Sequence, residues 1–216
     1  MSRIEAKYIT TKKINNNYFN LNRYYDHSYS DRKINNIYFD TLNDNFYRDH
    51  IEGSLSRHKV RVRWYESLNK INNSFFPEYF LEIKIKKKNK ISKIKTKLKN
   101  FDYLKIDLDY INYEYLKLLV KENLKIKFSS LFPKLENSYN RKYYIISKDP
   151  NNRLTLDYSL SFSNFYGNNL LTNTKFNVLF NILEHKYIEN KIQYILLKIK
   201  NYSLTNLFTY KLMTKN

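Results

Sequence analysis

The chain has 216 residues, 39 Lys and Arg against 20 Asp and Glu, and a formal net charge of +19. It contains no Cys and only two Gly, which excludes disulfides, thiolate metal sites and Gly-rich phosphate loops, and with them the P-loop, kinase and dinucleotide routes. The positive excess favours an anionic partner (nucleotide, polyphosphate, nucleic acid or anionic membrane) without choosing among them.

Length and a hydrophobic content of 42% suit a single domain over residues 1–216. The opening Met1-Ser2-Arg3-Ile4-Glu5 has no signal-peptide core, and no apolar run reaches spanning length. A soluble cytoplasmic protein is the expectation.

In a strand, successive side chains point to opposite faces. Residues 3–11 read as a first strand, with Arg3, Glu5 and Lys7 opposite Ile4, Ala6 and Tyr8. Ile14, Tyr18, Leu21 and Tyr25 have the spacing of an amphipathic helix. A strand over 34–40 ends at the turn-prone Leu42-Asn43-Asp44. Residues 57–66 form the clearest strand: Lys59, Arg61 and Arg63 on one face, Val60, Val62 and Trp64 on the other. After a turn at Asn72-Asn73, residues 79–88 set Glu82, Lys84 and Lys86 opposite Leu81, Ile83 and Ile85. Residues 91–98 carry Lys93, Lys95 and Lys97 in phase.

The period then changes. Leu104, Leu108, Ile111, Tyr115, Leu118 and Leu119 predict a helix of about five turns. Strands return at 139–147 and 153–158, joined by a turn at Asn151-Asn152; Arg153, Thr155 and Asp157 lie opposite Leu154 and Leu156. Residues 176–187 make another strand, with Glu184 and Lys186 in phase. Asn190 is placed to cap a last helix carrying Ile192, Ile195, Leu196 and Ile199, and 204–213 reads as a final strand.

The reading is therefore α+β: an eight-stranded antiparallel β-barrel with packed helices, apolar faces outward and charged faces inward. Charges enclosed in this way are costly unless paired or occupied by a ligand. The inward set is Lys7, Arg61, Arg63, Lys84, Lys95, Arg141, Arg153 and Lys211, interleaved with Glu5, Glu82, Asp157 and Glu184. Arg offers phosphate a planar fork and Lys a compact charge, so such a row suits a linear chain of phosphates. The carboxylates would orient basic residues or hold a divalent ion such as Mg²⁺ or Mn²⁺. Glu5 and Glu82 read as partners that orient lysines, Trp64 as core, and His27, His50 and His58 as surface or loop residues. The abundant aromatics fall mostly at core phases, which favours packing over base stacking.

In order along the chain, Arg3-Ile4-Glu5-Ala6-Lys7-Tyr8, Tyr38-Phe39-Asp40-Thr41, Lys59-Val60-Arg61-Val62-Arg63-Trp64-Tyr65 and Leu81-Glu82-Ile83-Lys84 resemble the VTC domain of polyphosphate polymerases, which are triphosphate tunnel metalloenzymes. Asn140-Arg141-Lys142-Tyr143, Arg153-Leu154-Thr155-Leu156-Asp157, Leu183-Glu184-His185-Lys186 and Tyr210-Lys211 continue the series. The resemblance implies an eight-stranded tunnel that transfers the γ-phosphate of ATP to a growing polyphosphate chain. It further implies that Lys7, Arg61, Arg63, Lys84, Arg141, Arg153 and Lys211 contact phosphates and that Glu184 holds Mn²⁺ or Mg²⁺. Lys95 is chosen as the second lysine of the middle strands, with Lys93 and Lys97 close by. His185 stands where the family often has an aliphatic residue and is expected to point outward. Two other readings remain: a tunnel triphosphatase acting on inorganic triphosphate or an RNA 5′ end, and a polyphosphate or nucleic-acid binding module without turnover. Tunnel triphosphatases typically carry Glu-x-Glu-x-Lys on the first strand; here Arg3 takes the first position, which favours the polymerase branch, and nucleic acid is not the expected partner.

Overall fold

Alternating charged and apolar residues form strands wherever one side of the chain can be buried and the other turned to a polar interior. The computed structural model describes residues 3–10, 25–68, 77–88, 90–99, 131–146, 149–164 and 175–188. They comprise β1 (Arg3–Thr10), β2 (Tyr25–Asp40), α1 (Asn45–Ile51), β3 (Ser56–Ser67), β4 (Phe80–Lys87), β5 (Lys90–Lys97), β6 (Phe132–Ile146), β7 (Asp149–Asn164), β8 (Lys175–Asn177) and β9 (Asn181–Ile188). All belong to one antiparallel sheet except α1, in the order β1-β9-β7-β6-β2-β3-β4-β5, with β8 beside β7.

Closure differs from expectation. Among the described residues β1 pairs only with β9 and β5 only with β4, so the sheet is not a hydrogen-bonded barrel. It is nevertheless curled. Glu5 and Lys7 of β1 and Lys186 of β9 act electrostatically on Lys84 of β4, from the far end of the strand order. Charges act on one another appreciably only within about 8–10 Å at ordinary ionic strength. The two ends of the sheet therefore face each other across a concave side.

The convex side is apolar. Ile37, Phe39, Val60, Val62, Trp64, Leu81 and Ile83 pack there with Phe46, Leu98 and Leu131. Trp64 is core, as expected, and its ring lies 5.4 Å from that of Tyr79. Leu154, Leu156 and Leu183 continue the buried face on β7 and β9.

The seven residues of α1 follow the turn at 42–44, where a turn alone was expected. Asp40, the last residue of β2, explains the helix. Its carboxylate accepts the backbone N–H groups of Thr41 (2.7 Å), Phe46 (2.9 Å) and Tyr47 (2.9 Å). Free N–H groups at a helix start need such an acceptor, and the negative charge suits that end of the helix dipole. Phe46 then anchors α1 in the core.

Several boundaries also move. Tyr25 begins β2 rather than ending a helix; the rest of that predicted helix lies outside the described residues. Asn151 and Asn152 are not a turn but part of β7, where the register with β6 shifts between Ile145 and Ile146. The strand expected over 176–187 is two strands, β8 and β9, and Val178 N–H donates to Leu160 O (2.9 Å) at the break. The Asn72-Asn73 turn, the helices expected at 104–119 and from Asn190, and the strand expected at 204–213 lie outside the described residues. Among those residues no helix is long and apolar enough to cross a membrane.

Candidate functional site

Register decides which side chains meet. Across β3, β4 and β5 three successive rungs of the concave face are Lys59–Lys84–Lys93, Arg61–Glu82–Lys95 and Arg63–Phe80–Lys97, with Arg57–Lys86–Ile91 beyond the first. On the other flank of β3, Tyr38 of β2 lies opposite Arg61 and Asn36 opposite Arg63. Further round, Arg141 of β6 faces Asp157 of β7, Thr155 faces Glu184 of β9, and Glu184 faces Lys7 of β1. Arg153 faces Lys186, which faces Glu5. Lys7, Arg61, Arg63, Lys84, Lys95, Arg141, Arg153 and Glu184 are thus all on the same concave face. Lys211 lies outside the described residues.

The centre of this face is made of arginines already held in place. Arg61 donates to Glu82 Oε2 through Nε (2.9 Å) and Nη2 (2.6 Å), and to the Tyr38 hydroxyl (3.0 Å). Arg63 is buried; its Nε donates to Asn36 Oδ1 (2.6 Å) and its Nη1 lies 3.8 Å from Glu82. Asn36, fully buried, donates in turn to Asn137 Oδ1 (2.7 Å). Arg141 grips Asp157 bidentately at 2.5 and 2.6 Å. Burial opposes ionisation of Glu82, but Arg61 and Arg63 outweigh it and hold its carboxyl below the usual range. Glu82 therefore orients two arginines, not the lysines expected from the sequence. Glu82 and Asp157 thereby hold the forks of Arg61 and Arg141 in fixed orientations.

A second cluster joins β1, β9 and β7. Glu184 lies 2.9 Å from Lys186 and 3.6 Å from Lys7; Glu5 lies 3.4 Å from Lys7 and 3.7 Å from Lys186. Here Glu5 does orient lysines, as expected. Burial works against a charge on Glu184, yet its contact with Glu5 and the charges of Lys186 and Lys7 keep its carboxyl well below the ordinary range. Burial likewise opposes the charge on Lys7, and Glu184 and Glu5 raise its pKa in compensation. Among the described residues no three His, Cys, Asp or Glu side chains come together. The carboxylates that could hold a divalent ion are the adjacent pair Glu184 and Glu5. Two carboxylates fit Mg²⁺ or Mn²⁺ where phosphate oxygens and water complete the shell, which is how such ions usually meet phosphates.

Lys93, Lys95 and Lys97 all share the concave face, and their neighbours distinguish them. Lys95 sits in the Arg61–Glu82 rung, its ammonium 3.9 Å from the Phe80 ring centroid. Lys97 is tied to Glu78 at 2.5 Å. Lys93 stands beside Lys84. Asn36, Tyr38, Tyr139 and Lys59 complete the lining without having been singled out as site residues. Counting in twos finds Lys59 from Arg61 and Tyr139 from Arg141; Asn36 and Tyr38 reach the face only through the pairing of β2 with β3. Arg32 also faces inward, against Tyr29, Tyr65 and Tyr143 at 5.3–5.8 Å.

Among the histidines His58 departs from the sequence reading, while His50 is exposed, as expected. His58 is buried, its ring 5.6 Å from Phe46. His50 meets the Lys59 ammonium at 3.4 Å. His185 does point to the convex side, but it is 1% exposed and its Nε2 meets Asn152 Oδ1 at 2.5 Å. Burial lowers its pKa to about 4.

Residues 2–212 match the model of the VTC domain family. No curated protein matches the chain. Among solved structures, a Bacillus halodurans protein provisionally described as an adenylate cyclase is 14% identical, with 100% of this chain and 96% of that one covered and a TM-score of 0.50. A Hippeastrum protein described as an adenylyl cyclase with a dominant triphosphatase activity is 12% identical, with 93% and 87% covered and a TM-score of 0.49. At 14% identity the likeness to the Bacillus halodurans protein concerns the fold alone.

Proposed function

The chain belongs to the VTC domain family, and from that premise we propose that it is a metal-assisted polyphosphate polymerase acting as a single domain over residues 1–216. The substrates are ATP and a growing polyphosphate chain, and the cytoplasm is the proposed location. The observation that carries this reading is the concave face itself: cations from β1, β3, β4, β5, β6, β7 and β9 share it, with the buried carboxylate of Glu184 among them.

Phosphoryl transfer requires alignment and neutralisation of charge more than a protein nucleophile. A terminal phosphate oxygen of the acceptor attacks the γ-phosphorus, a new P–O–P bond forms, and the bond from Pγ to the bridging oxygen breaks as ADP takes the electron pair. Arg61, Arg63 and Arg141 hold fixed positive charge toward the phosphates because Glu82 and Asp157 fix their orientation. Fixed donors of this kind stabilise developing charge without reorganising at the moment of reaction. Lys7, Lys84, Lys95 and Arg153 bind the phosphate chain along the same face, and Lys211 joins them by the family resemblance. A bound Mn²⁺ or Mg²⁺, held by Glu184 with Glu5, supplies further neutralisation of phosphate oxygens.

The test is incubation of the purified protein with ATP and Mn²⁺, with and without a short polyphosphate primer, assaying long polymer and ADP together. Polymer rising in step with ADP supports the polymerase. Phosphate release without polymer assigns a triphosphatase, in which water takes the acceptor's place. Tight polyphosphate binding without turnover assigns a binding module.

A further inference from the structure

The three rungs across β3, β4 and β5 are not equally neutralised. The middle one contains Glu82. The third ends on Lys97, tied to Glu78. The first is Lys59, Lys84 and Lys93, three lysines directly abreast on adjacent strands. Like charges placed directly opposite in a sheet are destabilising. Among the described residues none of the three has a carboxylate within ion-pair distance. The residue that meets Lys59 is instead another basic one, His50 of α1, at 3.4 Å. α1 is held there by Asp40, whose carboxylate is turned to the helix amides and is not available to the lysines.

We propose that Lys59, Lys84 and Lys93, with His50, form an anion subsite that takes a further phosphate of a linear chain, beyond those held at the arginines. Lys59 lies two residues along β3 from Arg61, about 7 Å at strand rise. A chain lying on the arginines and continuing toward α1 therefore passes onto the lysine rung. A short triphosphate seated at the arginines leaves that rung empty. The subsite rests on the polyphosphate reading given above and adds to it a site for chain length.

The electrostatics of this face agree. Partial burial and the fields of Lys7, Lys84, Arg61 and Arg57 bring the Lys59 pKa down to about 8. Partial burial lowers Lys84; Glu5 opposes this, while Lys93, Lys7 and Lys186 add to it. Burial and the charges of Lys59, Arg57, Lys84 and Lys7 lower His50 too. A polyanion reverses these effects, so its binding takes up protons. Long-chain affinity should fall as pH rises through about 8, where Lys59 in the empty site loses its charge.

The test measures binding of inorganic tripolyphosphate and of long-chain polyphosphate by calorimetry, from pH 6 to 9 (about the range in which His and a depressed Lys titrate). The proteins are wild type, Lys59→Gln, His50→Gln and Arg61→Ala. Lys59→Gln should weaken the long chain about tenfold or more, flatten its dependence on pH near 8 and weaken tripolyphosphate far less. His50→Gln should weaken the long chain on the acid side only. Arg61→Ala should weaken both ligands. Relief of the lysine rung should also leave the melting temperature of ligand-free Lys59→Gln at or above that of wild type. Equal weakening of both ligands by Lys59→Gln would reduce Lys59 to part of the general field and overturn the subsite. So would unchanged long-chain binding in that variant while Arg61→Ala weakens both. If wild type binds neither anion, the polyphosphate reading itself falls and the subsite with it.

Discussion

Glu184 shows how little of a residue's role is fixed by its identity. It is a buried carboxylate kept ionised by its neighbours, with Lys7 and Lys186 on either side and Glu5 adjacent. Glu184→Gln keeps the shape and removes the charge. The expected result is loss of Mn²⁺-dependent ADP release with an unchanged circular dichroism spectrum, since an amide is a poor ligand for a hard cation. His185, next in sequence, faces the opposite way and has a different consequence. Its pKa is about 4 in the fold against 6.5 in the unfolded chain, so the unfolded state binds more protons between these values. The stabilisation from neutral His185 is complete above pH 6.5 and lost as pH falls toward 4. Urea midpoints measured across that window should fall with acidification, by up to about 3 kcal/mol in stability. In His185→Gln, which can still donate to Asn152, the fall should be smaller.

At the scale of the element, alternation in the chain was readable where the two faces differ in chemistry. β3 and β4 have Arg, Lys and Glu against Val, Leu and Ile, and their bounds match the reading within about a residue or two. The first half of β2 and both ends of β7 are rich in Tyr, Ser and Asn, which do not declare a face, and they were missed, as was the start of β6 at 132–138. Asn151-Asn152 has turn composition, yet Asn152 is used as the buried partner of His185. α1 was invisible because its stabilising group, Asp40, lies in the preceding strand. Asp40→Ala should cost about 1–3 kcal/mol, visible as a lower thermal midpoint, because three N–H groups lose their acceptor together. Trp64→Ala should cost roughly 3–5 kcal/mol in chemical denaturation, since its indole fills the convex core.

For the whole molecule, the family resemblance and strand phase placed the described site residues on one face, but they could not supply register. Register is what separates Lys93 from Lys95, and what shows Lys59, Lys84 and Lys93 abreast. It also depends on non-local pairing: Lys7 and Glu184 meet across β1 and β9, far apart in the chain. Binding an anion to this face should stabilise the entire sheet, because the ligand recognises only the curled form. Tripolyphosphate at about 100 times its dissociation constant should add roughly 3 kcal/mol, read as a rise in melting temperature. The same rise in Glu184→Gln would separate anion binding from turnover.

The β5 margin, which among the described residues has no partner on its outer side, bears on solubility. Among the described residues β5 pairs only with β4, and its exposed positions include Lys90, Lys93, Lys95 and Lys97. An unpaired strand is a template on which a second copy can zip, and closely spaced lysines are a common protection against this. Two β5 margins brought together would place these ammonium groups side by side, so the residues proposed to bind a polyanion would also hinder one copy of the chain from adding to another.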